Sequence, residues 1–587
     1  MRKKIITIVT IICALSLSAC GNTTDITKER IINKEVYFSK DNDINDVIKY
    51  GNIDLLFKSN STVPYISLKD GLSYINMLRK EAVNSDYVIT YKQEKDTATY
   101  SAPNNAYSII DIKEQTITYH DYSGLLNHIH PYKDTYALFA PNKDSSIHLL
   151  SNDYKVGNDY IIDLKKYSEI DIYQHDGYFY LPLTTYNDLF ISPLSLCNLV
   201  YNFDKVYFLS SEAKYTVTDE EGEEIFTPLG KLFYTSKEEN PTVDKQYASY
   251  YYQNICLSFD YLYGVKGLKG RNYDTFDNYL STKGYKEDLL SGDVKKMDAA
   301  YAYALSTFYD FHTGIGAYSS LYEYGSADIE RSKFNPEMAK EEEEEEELNA
   351  ARKASKAELG FSIDTENRIA YIAFNRFDPV DERALAKDTY TEEDLNNSVT
   401  LFAYAYKEIV NKYLASIDYV AIDLATNNGG SSDGMIYMLN ILLGQVSIDI
   451  QNPFSKDNTR CKYALDINRD GKVDEKDISL REYGKQIVFI NTHFAFSCGN
   501  ALPVYAKYNY PEQVTTIGET TGGGTCALRV SYNALGTKYH LSGFNMLSKK
   551  VNDKLDNIEM GVAPDIPLEN VADTINRNTV VKALLRK

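Results

Sequence analysis

The chain has 587 residues, a length that predicts two to four domains. Hydrophobic residues make up 43% and charged residues 25%, as in soluble globular chains, which argues against global disorder and against a polytopic membrane protein. The net charge of −21 repels phosphate backbones and argues against nucleic acid as a partner.

Residues 1–19 have the pattern of a secretory signal peptide, with basic residues first and then an apolar stretch from Ile5 to Leu17. The tetrapeptide that ends at Cys20, Leu-Ser-Ala-Cys, resembles the lipobox of bacterial lipoproteins, in which the cysteine becomes the acylated first residue. The resemblance implies that Cys20 carries lipid. The polar composition of the segment that follows predicts a tether over residues 20–35. The expected location is therefore the cell membrane, lipid-anchored on its extracytoplasmic face. A plain secretory signal is the alternative.

The stretch from residue 36 to residue 240 predicts a β-rich accessory domain. Short runs of Tyr, Ile and Val are interrupted there by Asn, Asp, Gly and Ser. Val63–Leu68 and Tyr178–Leu183 are similar runs, and a segment with helical potential follows each of them. A degenerate internal repeat is therefore one expected organisation of this domain, and an unrelated β-rich fold is the other.

Residues 246–320 carry apolar residues at helical spacing and predict a helical linker domain. The segment leads to His312 in the turn Asp-Phe-His-Thr. A run of seven glutamates, Glu341–Glu347, comes next and predicts a solvated helix or a mobile insertion with no function of its own.

Residues 321–587 predict an α/β domain, because strands and helices alternate from Ile369 onward. The expected strands are 369–374, 419–424, 487–491 and 515–518. The expected helices are 395–414, 434–443 and 499–508.

Four short motifs in this domain could carry chemistry. Glycines between a strand and a helix leave backbone N–H groups free beside a helix N-terminus, which suits an anion or an oxyanion. A serine at the end of an apolar strand can act as a nucleophile with help from the helix dipole. Alone, a glycine pair indicates only a turn and such a serine only an N-cap. The motifs are Asp423-Leu-Ala-Thr-Asn-Asn-Gly429-Gly430, Phe496-Ser497-Cys498-Gly499, Ile517-Gly-Glu-Thr-Thr-Gly-Gly-Gly524 and Gly561-Val-Ala-Pro-Asp565.

Taken in this order, the four motifs resemble those of the S41 family of peptidases, which comprises the tail-specific proteases and their tricorn-core and retinoid-binding-protein-like relatives. The resemblance covers about residues 246–587. It implies a crotonase-like (ClpP/crotonase-type ββα) α/β peptidase domain at the C-terminus, with Ser497 as the nucleophile. It also implies an oxyanion hole formed by the backbone amides of Gly429 or Gly430 and of Cys498. The whole chain is then expected to be multidomain α+β.

The general base divides the family into branches. Tail-specific proteases use a lysine in the glycine-rich loop after the nucleophile, and residues 521–525 contain no lysine. The tricorn-like branch draws a histidine from the segment after the helical region, and His312 resembles that residue. Histidine suits the role because its pKa lies near neutrality. His493 and His540 are the reserve candidates.

Glu559 resembles the acidic residue of the tricorn-like site and is the predicted orienting group for the base. Asp310 is expected to lie too close to His312 in sequence to reach around the ring. Two positions depart from the family pattern and bear on activity: Ala425 stands where the family usually has an arginine, and the glutamate commonly found shortly after Ser497 is replaced.

A metal-binding loop is predicted within an insertion at residues 445–484. Oxygen ligands fall at loop positions 1, 3, 5, 9 and 12, and Gly471 stands at position 6 for the sharp turn. The loop resembles dockerin-type and EF-hand calcium loops, and a plain acidic turn is the alternative. We expect the calcium ion to be structural. Its expected ligands are Asp466, Asn468, Asp470, the carbonyl of Lys472, Asp474 and Asp477.

These expectations together predict a lipid-anchored extracytoplasmic serine peptidase that hydrolyses peptides or protein fragments and needs no organic cofactor. One alternative is a catalytically inactive surface lipoprotein of the same fold that binds peptides or other ligands. Another is an adhesion or scaffold protein whose calcium loop docks a partner.

Overall fold

The computed structural model describes residues 26–39, 47–83, 87–126, 137–219, 222–234, 239–322, 336–355 and 357–585. The predicted signal peptide and the lipidation site Cys20 lie outside the described residues. The predicted tether is shorter than expected, because strand β1 begins at Arg30 and pairs with the next strand from that residue onward.

The N-terminal region is built on two sheets. The first has seven strands in the order β10-β11-β3-β2-β1-β13-β12, and the second has five in the order β4-β5-β6-β7-β9. Strands β5 to β7 alternate buried and half-buried residues, the pattern of a sheet with one covered face. The strands of the first sheet are β1 (Arg30–Ser39), β2 (Val47–Phe57), β3 (Pro64–Ser67), β10 (Tyr173–His175), β11 (Tyr178–Pro182), β12 (Cys197–Tyr201) and β13 (Val206–Ser210). Those of the second are β4 (Thr90–Gln93), β5 (Thr97–Ser101), β6 (Tyr107–Asp111), β7 (Thr116–His120) and β9 (Tyr160–Asp163).

The two similar runs of the N-terminal region form similar units. Strand β3 leads directly into helix α1 (Leu68–Val83), and strand β11 leads directly into helix α3 (Leu183–Tyr186). The two strands pair antiparallel with each other. The remaining short elements of this region are α2 (Tyr122–Leu126), α4 (Ser192–Ser195), β14 (Thr216–Thr218), β15 (Glu224–Phe226) and α5 (Pro228–Phe233).

A central seven-stranded sheet joins distant parts of the chain, and it corrects the predicted domain boundaries. Strand β8 lies within the predicted accessory domain but pairs antiparallel with β21, so residues 36–240 do not form a separate unit. The pairing covers the edge of β21, which would otherwise expose unpaired N–H and C=O groups. The predicted insertion 445–484 likewise contributes two strands to this sheet. The strands are β8 (Ile147–Lys155), β16 (Gly314–Ala317), β20 (Val446–Gln451), β21 (Asn458–Leu465), β24 (Cys526–Tyr532), β25 (Lys538–Val551) and β26 (Lys554–Asn557).

The predicted helical segment packs between the N-terminal sheets and strand β25. Ile66, Tyr251 and Tyr539 come from these three parts of the chain and belong to one cluster of fully buried side chains. The segment is therefore part of a shared core. Its helices are α6 (Lys245–Tyr261), α7 (Phe276–Lys283), α8 (Lys286–Leu289) and α9 (Val294–Ser306).

The C-terminal sheet has six strands in the order β17-β18-β19-β22-β23-β27, and all neighbours except β17 and β18 are parallel. Its central strands are almost entirely buried, as expected for a parallel sheet covered on both faces. The strands are β17 (Gly360–Asp364), β18 (Ile369–Ala373), β19 (Tyr419–Asp423), β22 (Gln486–Asn491), β23 (Val514–Gly518) and β27 (Ile566–Pro567). The helices are α10 (Pro336–Ser355), α11 (Glu382–Leu385), α12 (Ser398–Glu408), α13 (Ser432–Leu443), α14 (Cys498–Asn509) and α15 (Arg577–Leu585).

The predicted fold class is confirmed: the chain is multidomain α+β, with β-rich N-terminal sheets and an α/β C-terminal domain. Among the described residues, none of the helices combines the length and the apolar character needed to cross a membrane.

Candidate active site

The candidate site lies where two parallel strands of the C-terminal sheet end side by side. β19 ends at Asp423 and β22 ends at Asn491, and Asp423 pairs with Ile490 in the register of the two strands. In open α/β sheets, ligands bind outside the carboxyl ends of the strands. The turns that follow these two strands carry the first two motifs.

Gly429 and Gly430 form the turn between β19 and α13. Their φ angles are +100° and +135°, which favour glycine. A Cβ atom on Gly429 would lie 2.7 Å from the Cβ of Ser497, so a larger residue would displace the serine. The amide of Gly429 donates to Asn427 Oδ1 at 3.0 Å, whereas the amide of Gly430 has no hydrogen-bond partner in the described part of the chain. Of the two predicted glycine donors, Gly430 is the one with a free amide.

Ser497 occupies the N-cap position of α14 with φ +55° and ψ −121°. Residues other than glycine rarely adopt this backbone conformation, and such strain is typical of functional sites. The side chain makes no capping hydrogen bond, so the interpretation of Ser497 as an ordinary N-cap does not describe it. The amide of Cys498, the first residue of the helix, has no hydrogen-bond partner within the described ranges. The Ser497 hydroxyl, which makes no capping hydrogen bond, therefore lies beside a helix N-terminus whose first amide, that of Cys498, is free to donate.

The third and fourth motifs surround this serine turn. The amide of Ser497 donates to the carbonyl of Gly523 at 2.9 Å, and Phe496 forms a parallel bridge with the same glycine. The hydroxyl of Thr521 in turn accepts a hydrogen bond from the amide of Val562 at 2.7 Å. All four motifs thus converge on Ser497.

His312 lies in the turn between α9 and β16, far from Ser497 in sequence. Its ring packs edge-on against Phe496, with ring centroids 4.8 Å apart, and it is 8% exposed. Its Nδ1 atom has no hydrogen-bond partner in the described part of the chain. Burial lowers the pKa of the imidazole below its ordinary value, and the charges of Asp310 and Glu559 only partly oppose that effect. A neutral ring with a free nitrogen can accept a proton.

Asp310 fixes the backbone of the histidine turn. Its carboxylate accepts a hydrogen bond from the amide of His312 at 3.1 Å. It also accepts from the hydroxyls of Tyr263 at 3.0 Å, Thr313 at 2.7 Å and Ser542 at 2.9 Å. Asp310 therefore acts on the main chain of His312, in keeping with the expectation that it would not reach around the ring.

Glu559 is buried at the site, but its contacts differ from the predicted ones. Its Oε1 atom accepts a hydrogen bond from Arg271 at 2.7 Å, and its Oε2 atom accepts from the amides of Gly524 at 3.1 Å and Thr525 at 2.9 Å. The side chains of Glu559 and Arg271 are 1% and 2% exposed. The His312 ring is not among the described hydrogen-bond partners of Glu559. Its carboxylate holds the glycine loop, and it acts on the histidine only through its charge.

A cavity of about 860 Å³ opens at this place. Ser497, His312, Gly430 and Cys498 all line it. The volume lies in the range of cavities that hold small ligands. The structure thus brings the predicted nucleophile, base and two amide donors to one cavity.

Residues 368–568 match the family model described as peptidase family S41. This part of the chain is an S41 domain. The match confirms the predicted family and, with it, the serine-peptidase class of the domain. It includes the four motifs and Glu559, whereas His312 and Arg271 precede the matched residues.

Three solved structures illustrate what the chain is similar to. A protein from Parabacteroides merdae described as a peptidase is 15% identical, with 56% of this chain and 92% of that chain covered and a TM-score of 0.37. A lipoprotein from Streptococcus agalactiae is 12% identical, with 58% and 96% covered and a TM-score of 0.33. A photosystem II D1 C-terminal processing protease is 14% identical, with 34% and 42% covered and a TM-score of 0.24, so the matched part spans about two fifths of that chain. No curated protein matches the chain significantly.

The two reserve histidines lie outside the cavity lining. His493 Nδ1 is 2.9 Å from Glu519 Oε2, and its Nε2 is 3.2 Å from Glu344 Oε2. Burial alone would lower the pKa of His493, but Glu519 and its neighbours outweigh burial and raise that pKa. His540 Nδ1 donates to the backbone carbonyl of His312 at 2.8 Å. The contacts of both histidines are structural ones.

The predicted calcium loop has the expected sharp turn, with Gly471 at φ +86°. Its carboxylates bond to the loop backbone: Asp466 accepts from the amides of Asp470 at 3.1 Å and Gly471 at 2.8 Å, and Asp477 accepts from the amide of Asp474 at 2.8 Å. In the described ranges, no group of three or more His, Cys, Asp or Glu side chains is arranged to hold a metal ion. A carboxylate that accepts such amide hydrogen bonds keeps further lone pairs for a cation. Calcium binding by this loop stays a prediction.

The glutamate run lies on α10, and one side of this helix is buried. Leu348 is fully buried, and Arg352 donates to both carboxylate oxygens of Asp423 at 3.1 and 3.2 Å. Glu341 and Glu345 line the cavity beside Ser497. The prediction of a solvated or mobile segment was wrong for this side of the helix, because a run of identical residues does not indicate which of them face the protein.

Arg271 is a site residue that the sequence did not single out. Besides its ion pair with Glu559, its guanidinium donates to the carbonyls of Phe308 at 3.0 Å and Tyr309 at 2.6 Å. It therefore ties the segment before His312 to the glycine loop beside Ser497. No motif surrounds Arg271, and only its contacts in the folded chain reveal it.

Proposed function

We propose that this chain is a lipid-anchored extracytoplasmic serine peptidase that hydrolyses peptides or protein fragments, with Ser497 as the nucleophile and His312 as the base. The observation that carries the proposal is the serine turn. Ser497 has a strained backbone and an uncapped hydroxyl, and it shares a cavity with a buried histidine whose Nδ1 is unpaired. Strain and an unpaired buried nitrogen both cost stability, which favours a functional reason for them.

In the proposed mechanism, His312 takes the proton of the Ser497 hydroxyl as the serine oxygen attacks the carbonyl carbon of a peptide bond. The carbon–nitrogen bond then breaks, and the protonated histidine gives its proton to the leaving amine. A water molecule, deprotonated by the same histidine, attacks the acyl-enzyme ester and releases the acid product with the free serine.

The oxyanion of the tetrahedral intermediates would be held by the amides of Gly430 and Cys498. Both lack a hydrogen-bond partner in the described part of the chain, and Cys498 begins a helix whose dipole favours negative charge. The amide of Gly429 is the less suitable donor, because Asn427 already accepts its hydrogen bond.

A fluorophosphonate probe tests the proposed nucleophile. We expect the probe to label the wild-type chain at Ser497, identified by peptide mass spectrometry, and not to label Ser497→Ala. Ser355→Ala is the matched control and should label normally, because Ser355 is exposed at the end of α10. An unlabelled wild type, or label that persists in Ser497→Ala, would refute the proposal and favour a non-catalytic binding protein of the same fold.

Lipid anchoring through Cys20 is supported by the sequence of the leader alone. Expression in a bacterial host with labelled palmitate should give a labelled wild-type chain and an unlabelled Cys20→Ala chain. Incorporation into the variant would remove this part of the proposal.

We also propose that loop 466–477 binds Ca²⁺ in a structural role. The loop has the ligand spacing and the glycine turn of such sites. Adding Ca²⁺ to chelator-treated protein should raise the Tm, by an amount that corresponds to about 2.7 kcal/mol at a hundred times the Kd. Asp470→Ala should abolish the shift, and Asp388→Ala, an exposed residue outside the loop, should keep it. A Tm that does not respond to Ca²⁺ would contradict the assignment.

A further inference from the structure

The charged side chains that line the cavity beside Ser497 are all acidic. They are Glu212, Glu341 and Glu345, and no lysine or arginine is among the described lining residues. The cavity therefore has a negative wall close to the proposed nucleophile. We call these three glutamates the acidic wall.

Two of the three glutamates belong to α10, which is fixed to the S41 domain. Leu348 on this helix is packed among buried residues that include Phe494, which lies three residues before Ser497. Arg352 on the same helix makes two hydrogen bonds to Asp423 at the end of β19. The helix therefore presents its acidic side chains at a fixed place in the cavity.

Glu341 is the deepest residue of the acidic wall. It is 7% exposed, and its Oε1 atom has no hydrogen-bond partner in the described part of the chain. His493 Nε2 is 3.9 Å from this oxygen, beyond hydrogen-bond distance, and the two ring nitrogens of His493 lie closer to Glu519 and Glu344. Because buried carboxylate oxygens are normally paired, this oxygen indicates a missing donor.

The environment of Glu341 favours the neutral acid, chiefly because the side chain is buried. Burial raises the pKa of Glu341 to about 7; His493 and Lys269 oppose this effect, and Glu344 and Glu345 add to it. A cation that enters the cavity would favour the ionised carboxylate and would pair with it in a poorly solvated place, where such an interaction is strong.

We propose that the acidic wall binds lysine or arginine side chains of a peptide substrate next to the bond that Ser497 attacks. The inference rests on the proposed peptidase function and adds the substrate class to it. Lysine and arginine carry only donors and a positive charge, which matches a carboxylate oxygen without a hydrogen-bond donor and a described cavity lining without lysine or arginine. A substrate with Asp or Glu in the same place would meet like charges.

The test compares peptides that differ at a single position on either side of the cleaved bond, with Lys, Gln or Glu at that position. We expect kcat/KM of the wild type to be about 10-fold or more higher for the Lys peptide than for the Glu peptide. This ratio should fall as the salt concentration rises, since two of the three glutamates are at the exposed rim of the cavity.

Substitutions in the acidic wall distinguish its effect on substrate preference from that of the other glutamates of α10. Glu341→Gln with Glu345→Gln should reduce the ratio to about 3-fold or less, and detectable fluorophosphonate labelling of Ser497 shows that the site is still assembled in this variant. The exposed Glu345→Gln alone should lower the ratio in part without affecting folding. Glu347→Gln, also exposed on α10 but outside the cavity, is the matched control and should leave the ratio unchanged.

The outcomes distinguish this inference from the proposed function. An active wild type without a preference for Lys, or a ratio that survives in the double variant, overturns the inference and leaves the peptidase assignment standing. A wild type that neither cleaves nor labels overturns the peptidase assignment. In that case, fluorescence anisotropy with Ser497→Ala decides the role of the wall: selective binding of the Lys peptide over the Glu peptide supports it, and equal or absent binding overturns it.

Discussion

Replacing His312 by Gln is expected to lower kcat/KM for a cleaved peptide by roughly 10⁴-fold to 10⁶-fold, and replacing Ser497 by Ala should do the same. The reason is that a serine hydroxyl is a weak nucleophile until a base takes its proton. The double variant should be no slower than either single variant, because the two groups act as one unit. Steady-state kinetics of the three variants, with circular dichroism as the check on folding, measures this.

The pH profile separates His312 from His493 as the base. Because burial lowers the pKa of His312 and only the neutral ring accepts a proton, kcat/KM should decline on the acid side with a midpoint below the ordinary value of 6.5. A midpoint above 6.5 would point to His493, whose pKa Glu519 raises. His120→Gln, on the N-terminal sheet, is the control and should behave as the wild type.

If the losses in kcat/KM of Ser497→Ala and His312→Gln add up in the double variant, the two residues do not act together as nucleophile and base.

Much of the C-terminal domain could be predicted because its signals are local. Each central strand is a short apolar run, and each helix follows a turn with glycine or a polar cap. The expected strand 419–424 is observed as Tyr419–Asp423, and the expected helix 499–508 as Cys498–Asn509. Consecutive strands are usually neighbours in a sheet, as β18 and β19 or β22 and β23 are here.

The organisation of the N-terminal half could not be predicted in the same way, since it depends on contacts that are distant in sequence. Strand β8 pairs with β21 about three hundred residues later, for example Leu149 with Tyr463. An alternating apolar pattern predicts a strand but does not identify its partner. The predicted domain boundary at residue 240 was therefore misplaced, because strands from both sides of it belong to the same central sheet.

In the candidate site, too, some features could be predicted from the sequence and others could not. The glycine turns and Ser497 were visible as motifs, because close backbone approach and a strand–helix turn require particular residue types. The contacts of Glu559 with Arg271 were not visible, because an arginine in a loop carries no sign of burial. The positive φ of Ser497 was also hidden, since serine is not a residue that such a conformation favours.

The buried ion pair of Arg271 and Glu559 carries the second large expected effect. Arg271→Met should lower the free energy of unfolding by about 3–5 kcal/mol, because it leaves the Glu559 charge buried without its partner. Activity should fall as well, since the Glu559 carboxylate also fixes the amides of Gly524 and Thr525 beside the serine turn. Urea denaturation and kcat/KM of the same variant measure the two effects.

Two comparisons separate burial of the charge from the loss of an arginine as such. Arg368→Met breaks an exposed pair with Asp418, where water and salt screen the charges, and it should leave stability unchanged within error. Adding Glu559→Gln to Arg271→Met should restore part of the lost stability, because the neutral amide oxygen can still accept from the two loop amides without a buried charge. If Arg271→Met were as stable as Arg368→Met, or if the second substitution made the protein less stable, the pair would not be what holds the glycine loop against Ser497.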